Sequence, residues 1–204
     1  TFLGYDPSLE ITCLNGQMKI GSLTFETTDP GSYIRQVVAD HKSPKFDCLP
    51  SFTGGLVGYF SYDYLKYAEP TLRLDAEDTE GFKDVDLMLF DKVIAFDNFR
   101  QKIILMVNID LEHLETEYNR ASLELRSMAD LIKNGEPKED IPGHCTTPVT
   151  PLFQKEEYCE MVEKAKHHIK EGDIFQIVLS NRLEAGFEGS LLNTYRLLRT
   201  LNPS

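Results

Sequence analysis

Apolar positions along the chain fall into two rhythms, and these mark out strands and helices in turn. Residues 9–14 (LEITCL) and 17–25 (QMKIGSLTF) read as β-rich runs joined by Asn15-Gly16, a dipeptide suited to a two-residue hairpin turn. Asp29-Pro30 opens a helix in which Tyr33, Ile34, Val37 and Val38 recur at helical spacing. In 52–70 (FTGGLVGYFSYDYLKYAEP), Gly54, Gly55 and Gly58 sit among apolar and aromatic residues. Such glycines predict a strand with a bulge or a close backbone approach. A short helix follows from Asp63, capped by Asp63 or Ser61. Residues 71–84 (TLRLDAEDTEGFKD) are polar and acidic and read as a solvated loop. Residues 85–96 and 102–109 predict two strong strands around the turn DNFRQ. The second is nearly all apolar, which predicts a central strand. Residues 111–134 carry one helical stripe of Leu114, Tyr118, Ala121, Leu125, Met128 and Ile132, with Gly135 where a C-terminal cap belongs.

The rhythm stops at 135–151 (GEPKEDIPGHCTTPVTP), a proline-rich stretch without period that reads as a linker or extended crossing. An amphipathic helix then spans 155–171, with Tyr158, Met161, Val162, Ala165 and Ile169 inward and Gly172 closing it. The next segment, 172–183 (GDIFQIVLSNRL), predicts a strand with Phe175, Ile177 and Leu179 on one side. Ile174, Gln176, Val178, Ser180 and Arg182 lie on the other. Ser190 caps a last helix presenting Leu191, Leu192, Tyr195 and Leu198. Adjacent strands with inserted helices predict an α+β fold of mostly antiparallel sheets rather than a doubly wound parallel one. The expected organisation is an N-terminal domain over 1–135, a linker over 136–151, and the beginning of a second domain over 152–204.

Composition narrows the function. The 204 residues carry a net charge of −12, with 41% apolar and 26% charged residues, ample for a buried core. The acidic balance and the lack of a basic stripe argue against nucleic acid as a partner. No apolar run is long enough to span a bilayer, so no membrane role is expected. Cys13, Cys48, Cys145 and Cys159 are scattered, without metal-ligand spacing, and His167 and His168 point to different faces of one helix. Neither zinc nor a disulfide framework is expected, and a reducing cytoplasm is the expected location. GGLVG lacks the Lys-Ser/Thr of a phosphate loop. No leader is visible before FLGYDP, and both ends read as cut from a longer protein.

Three stretches together resemble the chorismate-utilising enzymes, and among them the anthranilate synthase component I group. They are TFLGYDPSLEI, GGLVGYFSYDYLKYAEP, and KAKHHIKEGDIFQIVLSNRLE running on to YRLLRTLNPS. The resemblance spans nearly the whole chain and implies an N-terminal fragment of the aminase subunit. It implies conversion of chorismate and ammonia to anthranilate and pyruvate, with a glutaminase subunit supplying the ammonia. It further implies L-tryptophan as feedback inhibitor, with Asn202, Pro203 and Ser204 contributing to its pocket. Mg²⁺ is the implied cofactor, its glutamate ligands lying outside this chain. The fragment alone is expected to be inactive. The alternatives are aminodeoxychorismate synthase component I, which keeps the enolpyruvyl group, and a non-catalytic regulatory or assembly module. IFQIVLS leans toward the anthranilate form.

Gln176 is the one catalytic-site candidate. Relatives of the isochorismate synthase type, which use water, carry lysine at the matching position. Water, with a pKa of about 15.7, needs a base, and a buried lysine can serve. A carboxamide has no usable basicity and can only donate and accept hydrogen bonds. Ammonia needs no base, so a neutral amide here fits positioning for an ammonia-using enzyme. The plainer possibility is that Gln176 satisfies a buried backbone group.

Overall fold

The computed structural model describes residues 1–74 and 78–202. The chain is α+β and divides into two compact units, Thr1–Gly135 and Glu136–Ser204.

In the first unit, β2 (Leu9–Leu14) and β3 (Gln17–Ile20) form the expected hairpin, with Leu14 opposite Gln17. Asn15 (φ 49°) and Gly16 (φ 82°) both take the left-handed conformation that such a turn requires. The β-rich run 17–25 forms two strands. Gly21-Ser22 makes a second turn, and β4 (Leu23–Glu26) folds back on β3. The five-stranded sheet has the order β4-β3-β2-β6-β5, all antiparallel, with β5 Gly55–Phe60 and β6 Val85–Phe90. Its inner face presents Ile11, Cys13, Met18, Val85 and Leu87. Helix α1 (Pro30–Asp40) covers that face with Ile34 and Val37. Asp29 caps α1 by accepting from the Ser32 N–H at 3.1 Å. Ile11, Met18 and Val85 are fully buried and contribute about 1.5–3 kcal/mol each, so this layer holds the unit together.

The run 85–96 is also two strands. Chain leaves β6 at Phe90, passes Asp91, and enters β7 (Lys92–Asp97) in a separate sheet of order β1-β7-β8, with β1 Phe2–Leu3 and β8 Lys102–Val107. Asn108 fastens this corner. Its backbone N–H donates to the Asp91 carbonyl at 2.8 Å. Its Nδ2 donates to the Asp91 carbonyl at 3.1 Å and to that of Thr53 at 2.8 Å. Thus β8, expected in the centre, is an edge strand, and β7 is central. The apolar character of β8 reflects burial against α3 (Leu114–Asn134) rather than a strand on each side. The α3 stripe is buried only at Ala121 and Met128, while Leu114, Tyr118 and Ile132 are exposed.

The glycine-rich strand does mark a close approach. A Cβ at Gly58 would collide with the Asp86 carbonyl oxygen and lie 2.8 Å from Leu87 Cα. One at Gly54 would meet Asn108 Nδ2 at 2.5 Å. The expected helix from Asp63 is a 3-10 turn, Tyr62–Tyr64, running into α2, Leu65–Ala68. Ser61 stands at its start without a side-chain capping bond.

The second unit contains α4 (Lys155–Glu171), α5 (Leu192–Leu201) and two short ladders. Strand β10 (Thr150–Pro151) pairs with β11 (Leu183–Glu184), and β9 (His144–Cys145) with β12 (Phe187–Glu188). Gln154 and Glu157 form a capping box on α4, and Gly172 ends it at φ 83°. Ser190 Oγ accepts from the Leu192 N–H at 3.1 Å, next to the N-terminus of α5. Ala165 is the one buried apolar side chain of this unit among the described residues.

The strand expected over 172–183 does not form. Only Leu183–Glu184 is paired, because no strand among the described residues lies alongside 174–182 to complete a ladder. The alternation exists in the sequence, but Phe175 is 95% exposed and Val178 80%. Both sides of the segment therefore face outward.

Candidate functional site

Gln176 lies in this unladdered segment, exposed. It does not fill a buried backbone-satisfying position, as the plainer reading would have it. The segment is held at its far end. Tyr158 OH on α4 donates to the Leu179 carbonyl at 3.1 Å. The Asn181 carboxamide exchanges two hydrogen bonds with the Phe153 backbone, at 3.0 and 2.9 Å. Leu152 N–H donates to the Arg182 carbonyl at 2.8 Å. Asn202 follows α5, exposed, its N–H bonded to the Leu198 carbonyl at 2.8 Å. Pro203 and Ser204, placed with it in an inhibitor pocket, lie outside the described residues.

The best-built polar cluster is one the sequence reading missed. Asp84, read as the end of a solvated loop, is 2% exposed. One carboxylate oxygen accepts from Lys66 Nζ at 2.8 Å. The other accepts from the Asn15 N–H at 2.7 Å and from Tyr67 OH at 2.8 Å. Lys66 Nζ also donates to Asn15 Oδ1 at 2.8 Å, and the Gly16 N–H donates to Tyr67 OH at 2.7 Å. Tyr67 OH also lies 3.4 Å from Cys13 Sγ. Burial, then the hydrogen bonds with Cys13 and Asp84, push the Tyr67 phenol well above its ordinary range. The cluster pins the β2–β3 turn to α2, beside a cavity of about 890 Å³ whose walls include Glu26, Thr27 and Lys66. The Lys66 charge is already engaged by Asp84, and Tyr67 is held protonated. The group is an anchor, not a nucleophile or base. Its sequence signal was an aspartate directly ahead of the apolar run VDLMLF.

A second staple joins β7 to α3. Lys92 Nζ lies 2.7 Å from Asp6 Oδ2 and 3.6 Å from Glu124 Oε1, with the Tyr5 ring beneath it at 5.0 Å. The hydrogen bond with Asp6 raises the Lys92 pKa against its partial desolvation. Among the described residues, no three His, Cys, Asp or Glu side chains converge as a metal site would require. All four cysteines are free, and Cys13 alone is buried. Among the described residues, no helix is long and apolar enough to cross a membrane.

Residues 3–204 match the family model described as chorismate binding enzyme. The chain belongs to that family. It is 35% identical to anthranilate synthase component 1 of Acinetobacter calcoaceticus, over all of this chain and 42% of that protein. It is 38% identical to that of Aquifex aeolicus, over 88% of this chain and 37% of the relative. The crystal structure of anthranilate synthase component I from Streptococcus pneumoniae superposes over the whole chain with a TM-score of 0.80 at 28% identity. It is covered to 46%. This member of the chorismate binding family therefore spans less than half the length of the relatives it matches.

Proposed function

We propose that the chain is part of the aminase subunit of anthranilate synthase. In this reading ammonia adds to the chorismate ring carbon beside the carboxylate-bearing one, and the 4-hydroxyl leaves as water. The enolpyruvyl group is then lost as pyruvate while the ring becomes aromatic. The observation that carries the proposal is a likeness to component 1 proteins that runs the full length of the chain, at 35% identity for the Acinetobacter protein. Chorismate is the substrate class, a glutaminase component the ammonia source, L-tryptophan the feedback ligand, and the cytoplasm the location. Magnesium would neutralise substrate carboxylate charge when bound. The described residues offer it no converging ligand set, so no step is assigned to it here.

Gln176 is proposed as a positioning group that orients substrate or ammonia by hydrogen bonds and withholds a base from water. Its exposure in a segment still lacking a strand neighbour is consistent with completion by further chain. For the same reason the 204 residues alone are expected to give no turnover.

The test is anthranilate fluorescence from chorismate, magnesium and ammonium. The 204-residue chain should give none, and a chain extended to the length of its relatives should give product. Turnover by the short chain would refute its proposed inactivity. An extended chain releasing aminodeoxychorismate instead would replace the anthranilate assignment.

A further inference from the structure

The connection between α1 and β5, residues 41–54, lines a cavity of about 630 Å³. Its floor is apolar. Leu49 and Phe52 pack on the core of the three-stranded sheet, Leu56 packs on the core of the five-stranded one, and Val38 and Phe46 complete the wall. Phe52 is held edge-on to Phe2, with centroids 5.5 Å apart, so the aromatic floor is fixed. Gly55 also faces the cavity. A Cβ there would meet only Phe52 Cε2, at 3.8 Å, so the missing side chain leaves open volume.

The rim is cationic. Lys42, Lys45 and His41 line it against the single carboxylate of Asp47. This is a local excess of positive charge in a chain of net charge −12. Lys42 and Lys45 are exposed, and among the described residues neither is engaged in an ion pair. His41 Nδ1 lies 2.8 Å from the Val37 carbonyl, which can only accept, so Nδ1 carries a proton and Nε2 is left for other partners. Ser43, Ser51 and Thr53 add hydroxyls. An apolar floor with a few polar groups at this volume is the usual form of a small-molecule site.

We propose that this cavity binds a small carboxylate carried on an aromatic or alicyclic ring, with the ring on Phe52 and Leu56 and the carboxylate at Lys42 and Lys45. The inference does not depend on the proposed function.

The test uses the 204-residue chain with benzoate, followed by ¹H–¹⁵N correlation spectra. Saturable shifts confined to amides of residues 38–56 and of Leu89, which also lines the cavity, are expected, with an affinity on the order of millimolar for so small a probe. Benzyl alcohol, which keeps the ring, and inorganic phosphate, which keeps the charge, should each bind about tenfold more weakly. Lys42→Glu with Lys45→Glu reverses the rim and should weaken benzoate about tenfold at low salt. Both positions are exposed, so folding is not at issue. Val38→Trp, at an exposed position in the cavity wall, should crowd the cavity and abolish binding. Benzoate shifts that do not saturate, or that fall outside 38–56 and Leu89, would overturn the proposal. So would benzyl alcohol or phosphate binding as well as benzoate, or indifference to the charge reversal.

Discussion

Asp84→Ala is the sharpest test of how the first unit is held. The wild-type carboxylate is buried and accepts from three donors, Lys66 Nζ, the Asn15 N–H and Tyr67 OH. Removing it leaves the Asn15 amide and the phenol without an acceptor and strands the ammonium. Breaking a buried charged pair this way costs about 3–5 kcal/mol. Lys66 keeps 25% side-chain exposure and can turn toward water, which places the loss near the lower end, about 3 kcal/mol. With a urea m-value of about 1.5 kcal/mol per molar for a unit this size, the midpoint should fall by about 2 M. Asp84→Asn preserves the shape but turns an N–H toward existing donors, and should lose about 2 kcal/mol. The chain has no tryptophan, so the signal is far-UV circular dichroism. A cycle with Lys66→Met should return about 1 kcal/mol or more of coupling. A midpoint shift below about 0.3 M, or zero coupling to Lys66, would show that the cluster anchors nothing.

Three further outcomes are expected. Gly58→Ala forces a Cβ against the Asp86 carbonyl and should destabilise the five-stranded sheet by about 3 kcal/mol, read by the same denaturation curve. The Tyr67, Tyr64 and Tyr5 phenols are all raised, chiefly by burial. Between the ordinary phenol range and their folded values the native state holds more protons than the unfolded one. Stability is therefore fully present below about pH 10 and falls as pH rises above it. Tyr67→Phe should flatten that alkaline decline, measured as urea midpoint against pH, and an unchanged slope would deny Tyr67 its part. In a chain extended to the length of its relatives, the proposed function predicts that Gln176→Lys lowers amination about tenfold or more, followed by anthranilate fluorescence with ammonium as donor. An unaltered rate would remove Gln176 from the positioning role.

Much of the fold was legible where local chemistry decides structure. Asn15-Gly16 has one good use, and it has that use here. Asp29-Pro30 starts a helix, and Gly172 stops one. The sequence was harder to read where partners decide. The run 85–96 looks continuous because both halves are buried, yet the polar pair Asp91-Lys92 marks the passage between sheets. The strand 102–109 was apolar enough for a central place, but a helix rather than a neighbouring strand covers it. The 172–183 alternation is a real strand pattern that lacks a neighbour among the described residues. For the site, Asp84 was hidden in an acidic run, since nothing in its composition separates a buried aspartate from a solvated one. Beyond its place directly ahead of VDLMLF, only proximity to Lys66 and Tyr67, 18 and 17 positions earlier, distinguishes it.

One residue, Asp91, separates β6 from β7, and Asn108 ties its carbonyl to the chain leading into β5. A connection of one residue has no slack. A tilt of the three-stranded layer therefore pulls directly on the last rung of the five-stranded one, and Gly54 leaves the Asn108 amide the room to hold that corner shut. The first unit is in this sense a single folded ribbon bent once, and its two layers have little freedom to breathe apart.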